Sequence, residues 1–69
     1  MNLILAPSTN IASADYDPDT KELVVTFHDG RQYSHTNVPL DTVTSWQRSP
    51  SAGQYYNRQI KGLYNYEEV

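Results

Sequence analysis

Glu22-Leu-Val-Val-Thr-Phe-His-Asp-Gly-Arg-Gln-Tyr-Ser-His35 decides the fold. Leu23, Val25 and Phe27 recur at every second position, the period of a strand with one buried face. Asp29-Gly30 marks a hairpin turn. Two registers compete. A two-residue loop of Asp29 and Gly30 sets Phe27 opposite Gln32 and Val25 opposite Ser34, which puts polar partners on the apolar face. A three-residue loop of His28, Asp29 and Gly30, with the glycine left-handed, sets Val25 opposite Tyr33 and Leu23 opposite His35. A slip of one residue turns every side chain over. The continuous face of Leu23, Val25, Phe27, Tyr33 and His35 therefore selects the three-residue loop, and Phe27 is expected in the core.

The flanking segments extend this hairpin. Asn10 to Tyr16 reads as a strand, although two alanines lower its propensity. Asp17-Pro-Asp-Thr20 reads as a turn, because Pro18 presets φ and Asp17 can bond back to the backbone. Residues 1–9 show no period and read as an irregular lead-in. Beyond the hairpin, Val38-Pro39 ends the strand region, Pro39 suits the first position of a helix and Asp41 its first turn. Leu40, Val43 and Trp46 fall within about a third of the helical circumference. Ser49-Pro50 stops that helix. Ser51 to Gln54 fits a capping box and starts a second helix. Its inner face is Ala52, Tyr56, Ile60 and Leu63, its outer face Gln54, Asn57, Arg58 and Lys61, with Tyr55 on the flank, and Gly62 ends it. The expected fold is α+β: a three-stranded antiparallel meander packed against two short C-terminal helices. It occupies one domain over residues 10–66, followed by a tail at 67–69, and Tyr64-Asn-Tyr66 is short enough to add to the sheet edge.

Bulk properties narrow the function. A chain of 69 residues forms one small domain, and with no cysteine it has neither disulfides nor a thiolate metal site to reinforce its core. Two histidines alone make a poor zinc site. The short apolar run of Met1 to Pro7 has no positive leader and is too brief to span a membrane, so a cytoplasmic location is expected. Net charge is −3, which argues against strong nonspecific duplex binding. The charge is uneven: residues 1–30 hold five acids against Lys21, whereas residues 31–69 hold Arg31, Arg48, Arg58 and Lys61 against three acids. An anionic partner would meet the second half. The plainer alternative is an imbalance that keeps a small domain soluble.

Asn10-Ile11, Tyr16-Asp17-Pro18, Leu23-x-Val25-x-Phe27, Gly30-x-x-Tyr33, Val38-Pro39 and Ser51-x-Gly53-x-Tyr55-Tyr56-Asn57-x-x-Ile60 stand in an order and spacing that resembles the KTSC domain. That family comprises small modules at the C-terminus of some lysyl-tRNA synthetases and free-standing bacterial and phage proteins. The resemblance runs from about Asn10 to Tyr66. It implies a noncatalytic module with a nucleic-acid-binding role, and it brings no catalytic residues. The chain departs from the family pattern at His35, where an aromatic residue is common, and in its acidic first half.

Candidate chemistry is sparse. Asp15-x-Asp17-x-Asp19 starts like a calcium loop, but the sixth position is Thr20 rather than glycine and the twelfth is Thr26 rather than glutamate, so a solvated turn is the better reading. His28 and His35 have no nucleophile spaced beside them, so no enzyme activity, cofactor or metal is expected. Gln54, Tyr55, Asn57, Arg58 and Lys61 form the candidate nucleic-acid surface: two cations for phosphates, two amides for base edges and one ring for stacking. The expected partner is RNA or another single-stranded nucleic acid. The alternative is a protein-interaction module using Trp46, Tyr64 and Tyr66, since aromatic residues are enriched at interfaces.

Overall fold

The computed structural model describes residues 1–69. Strands β1 (Ile11–Asp17), β2 (Glu22–Phe27) and β3 (Gln32–His35) form the antiparallel meander. The central hairpin has the expected register, with Leu23 opposite His35 and Val25 opposite Tyr33. Its loop has three residues: Phe27 N–H donates to the Arg31 carbonyl at 2.8 Å, and Gly30 N–H donates to the Phe27 carbonyl at 3.0 Å. Gly30 sits at φ 92°, where a side chain would be strained.

The sheet has four strands rather than three. Strand β4 (Tyr66–Glu68) pairs antiparallel with β3, in the order β1-β2-β3-β4. The segment expected as a tail therefore contributes Glu67 and Glu68 to the sheet. The Tyr64-Asn-Tyr66 segment expected at the sheet edge supplies Tyr66, and the strand runs on into two glutamates that carry no apolar alternation. At the opposite edge the lead-in is tied to β1. Asn2 bridges Asp15, Leu3 N–H donates to the Ala14 carbonyl at 3.0 Å, and the Leu3 side chain joins the core.

The turn between β1 and β2 is closed by Asp17. Its carboxylate accepts the Asp19 N–H at 2.9 Å, and its carbonyl accepts the Lys21 N–H at 2.7 Å. Lys21 is thereby forced to φ 61°. An L-residue other than glycine or asparagine pays about 1–2 kcal/mol there.

Helix α1 (Leu40–Arg48) lies behind the sheet, with Pro39 as its N-cap, one position earlier than the first helical residue. Val43 and Trp46 are fully buried, whereas Leu40, at the helix start, is exposed. The Trp46 indole N–H donates to the Ala52 carbonyl at 2.9 Å and so fixes the corner into α2 (Ala52–Tyr55). Ser51 caps α2 by accepting the Gln54 N–H at 3.4 Å. The expected second α-helix does not continue. Residues Tyr56–Ile60 form a π-helical turn, in which Lys61 N–H reaches back five residues to the Tyr56 carbonyl at 2.8 Å. The wider turn keeps Tyr56 and Ile60 in the core. Leu63 lies past its end and is 63% exposed, outside the face that a continuous α-helix would have given it.

The core is a single cluster of 11 buried residues, with Phe27 packed at its rim, only partly buried. Leu23→Ala, at a fully buried site, is expected to cost about 2–5 kcal/mol. Phe27→Ala should cost less than a buried phenylalanine does, about 1–3 kcal/mol. Urea titration of both variants checks the order; a larger loss at Phe27 would place it in the centre of the core. Lys21→Gly is expected to stabilise by about 0.5–1 kcal/mol, because relief of the left-handed strain exceeds the added freedom of the unfolded chain. The same titration reads it, with destabilisation as the contrary result.

Candidate nucleic-acid interface

Each amphipathic aromatic side chain in the core brings one polar atom, and each such atom has a partner. Tyr16 hydroxyl donates to the Val38 carbonyl at 2.6 Å, and burial, then the Asp17 carboxylate, push its pKa up. Tyr56 hydroxyl lies 2.8 Å from His35 Nε2. Burial, reinforced by the nearby Tyr33 and Tyr66 hydroxyls, raises the Tyr56 pKa to about 12. The neutral Tyr56 hydroxyl can donate to Nε2 or accept from it, so the bond joins the two side chains under either tautomer of the neutral imidazole. The other ring nitrogen, Nδ1, is buried without a hydrogen-bond partner.

His35 is fully buried, so no substrate reaches it. His28 is exposed in the hairpin loop, with Nε2 3.0 Å from the Ser8 carbonyl. Asp15 pairs with the Met1 ammonium group at 3.0 Å, and Asp17 serves its own turn. No group of three or more histidine, cysteine or carboxylate side chains converges as a metal site.

The structure divides the predicted basic and aromatic ridge. Tyr55 is half-buried, packs against the core and donates its hydroxyl to the Thr42 carbonyl at 3.2 Å. That leaves it a packing role on the α1 side. Gln54 lines a polar hollow with Ser51, Gly53 and Asn57. Arg58 is exposed and lines no hollow with the others. Asn57 also lines, with Lys61, a groove of about 430 Å³ that they share with the tip of the β2–β3 hairpin. Phe27, Arg31 and Tyr33 line it from the hairpin together with His28 and the carboxylate Asp29, and Tyr56, Thr9 and Asn10 complete it. Arg31 and Tyr33 were not among the candidates drawn from the sequence. Tyr33 was read as a core residue, and only the tertiary fold brings the hairpin to the π-helical turn. π-helical turns recur at functional sites, which adds to the interest of this one.

Of the three residues expected at a protein interface, Trp46 is fully buried and presents no surface. Tyr64 is half-buried, its hydroxyl 3.1 Å from Thr42 Oγ1. Tyr66 is 44% exposed. Tyr64 and Tyr66 line a larger, open hollow of about 750 Å³ together with Leu63, Glu22 and Glu67. Lys61 borders this hollow as well, but the two carboxylates outnumber it, which suits the hollow poorly to phosphate.

A four-stranded antiparallel meander backed by two short helical segments, with one cationic and aromatic groove at the hairpin end, defines a small α+β module. The KTSC domain family matches residues 7–66, and the chain belongs to that family. It is similar to part of the lysine–tRNA ligase of a Nostoc species, 37% identical over 54 residues, which is 78% of this chain and 10% of that protein. The Nostoc punctiforme lysine–tRNA ligase is 30% identical over 59 residues, 86% of this chain and 10% of that protein. The chain thus spans about 10% of the length of these curated relatives. Among solved structures, the crystal structure of a KTSC domain protein from Yersinia pestis superposes with TM-score 0.87 at 26% identity, covering 100% of this chain and 96% of that one. No helix is long and apolar enough to cross a membrane.

The buried imidazole ties stability to pH. Burial lowers the His35 pKa below its ordinary value of 6.5. The unfolded chain therefore binds the extra proton first as pH falls. His35 costs nothing above the unfolded pKa; below it, stability falls by up to about 1.4 kcal/mol per pH unit until the folded pKa is reached. Urea titrations between pH 7 and pH 5 should show this loss in the native chain and a shallower one in His35→Phe. Equal slopes would remove His35 as the cause.

Proposed function

We propose that this chain is a noncatalytic binding module for single-stranded RNA or DNA, acting through the groove between the hairpin tip and the π-helical turn. The convergence of Arg31 and Lys61 on the aromatic rings Phe27 and Tyr33 carries this reading. Lys61 makes no ion pair, and Arg31 only a weak one, 3.6 Å from Asp29 with both side chains exposed. Lys61 is therefore available to phosphate, and Arg31 becomes so by exchanging its contact with exposed Asp29, which lines the same groove. The opposite, open face of the sheet carries Asp15, Glu22 and Glu67, which orients an anion towards the groove. Similarity to proteins named for tRNA supports the same ligand class. The acidic net charge favours single strands, where stacking adds to the phosphate contacts, over a duplex held by charge alone.

A second reading rests on Leu63 and Tyr66, two exposed apolar side chains lining one hollow. There the module would dock a protein, as a surface of exposed aromatic residues can. Salt separates the two, since phosphate binding weakens steeply with salt and apolar contact does not. In fluorescence anisotropy with short RNA and DNA oligomers, binding should fall with added salt. Lys61→Ala should reduce the magnitude of the salt slope by roughly 0.7. Tyr33→Leu should weaken binding with little change in slope, whereas Tyr55→Phe should leave both unchanged. Absence of binding at low salt, or binding indifferent to the Lys61 and Tyr33 substitutions, would favour the protein-docking surface.

A further inference from the structure

We infer that the groove is a seat for a single nucleotide, with the base held in the corner between Phe27 and Tyr33 and the 5′-phosphate held by Lys61 and Arg31. This rests on the nucleic-acid reading above and narrows it to the unit recognised. The first ground is size. A hollow of about 430 Å³ lies near the lower end of small-ligand sites, roughly 300–1,000 Å³, and suits one nucleotide rather than a run of stacked bases.

The second ground is ring geometry. Phe27 and Tyr33 stand edge to face, 5.4 Å between centroids and 75° between planes. Each also packs against a second ring: Phe27 against Tyr56 at 5.6 Å and 74°, and Tyr33 against Tyr66 at 5.3 Å and 75°. A row of alternating perpendicular rings offers no flat platform for successive parallel bases. It offers a corner, in which one planar base lies flat on one ring and meets the other edge-on. Because neighbours clamp both rings, little rotamer freedom is lost when the base arrives.

The third ground is chemistry. Asn57, in the π-helical turn, carries both donors and an acceptor in its carboxamide, the complement of a base edge. The lining holds two cations, Arg31 from the hairpin and Lys61 from just after the π-helical turn, against the single carboxylate of Asp29, so its charge favours a phosphate. A phosphorylated tyrosine also joins a ring to a phosphate, but it presents no hydrogen-bonding edge to Asn57, so the nucleotide is the better fit.

The test is an amide-resolved NMR titration of the intact chain with adenosine and uridine 5′-monophosphates, to about 10 mM, a range that reads millimolar dissociation constants. Adenosine, inorganic phosphate and O-phosphotyrosine run as separate arms. Saturable shifts are expected at residues 27–33 and 57–61, with a nucleotide affinity at least about fivefold above that for adenosine or phosphate alone. Tyr33→Leu and Lys61→Gln should each weaken it about fivefold or more, with the rest of the spectrum unchanged as a check on folding. Nucleotides that leave these residues unmoved, in a protein that still binds oligomers, would overturn the single-nucleotide seat and spare the broader reading. Failure of oligomers and nucleotides alike would overturn both. O-phosphotyrosine binding as tightly as the nucleotides would overturn the nucleotide assignment in favour of a phosphorylated peptide.

Discussion

A domain of 69 residues without cysteine has to close its core with large side chains, and here those are amphipathic aromatics. Each buries a ring at the cost of stranding a polar atom unless a partner is supplied. The architecture is largely the set of answers to that constraint. Tyr16 reaches Val38 and locks the first strand to the segment that enters α1. Trp46 reaches Ala52 and sets the corner between the helices. Tyr56 meets His35 and joins the π-helical turn to the middle of the sheet. Each bond spans elements that share no backbone ladder. The hydroxyls and the indole thus specify one arrangement of a core that apolar burial alone would leave loosely defined.

The same constraint shapes the groove. A continuous α-helix after Ser51 would carry Leu63 towards the sheet, following the period of Ala52, Tyr56 and Ile60. The π-helical turn ends that run one turn early, leaving Leu63 outside and bringing Asn57 and Lys61 beside the hairpin tip. The aromatic row from Tyr56 through Phe27 and Tyr33 to Tyr66 begins in the core and ends at the surface. The rings offered at the groove are thus held by the rings that stabilise the fold, and binding and stability draw on one structure.

What could be read from the residues follows from the range of the interactions. The hairpin register was legible because the wrong choice turns Tyr33 and His35 to the open face of the sheet, a penalty written into adjacent residues. The Ser51 cap and the stop at Ser49-Pro50 were legible for the same local reason. The π-helical turn was not, since a reading at 100° per residue presumes the α-helix it would need to question. Strand β4 was legible only at Tyr66, in the Tyr64-Asn-Tyr66 segment expected at the sheet edge; pairing with β3, rather than their own pattern, makes Glu67 and Glu68 strand. Asn57 and Lys61 were found as part of an exposed ridge. Arg31 and Tyr33 joined them only through the fold, and burial took Trp46 and Tyr55 away from the surface roles their side chains suggested.

The two margins of the sheet are finished differently, and this bears on how the molecule behaves at high concentration. An open strand offers unpaired backbone groups to any passing chain, the first step towards fibrillar self-association. On the β1 side Met1 to Leu3 occupy part of that position. On the β4 side nothing covers the backbone, but the strand is three residues long and two of them are glutamates. A second copy approaching edge to edge would set carboxylates against carboxylates. The protection is electrostatic there and weakens with acid or salt, so the colloidal stability of the domain depends on Glu67 and Glu68 as well as on the depth of its core.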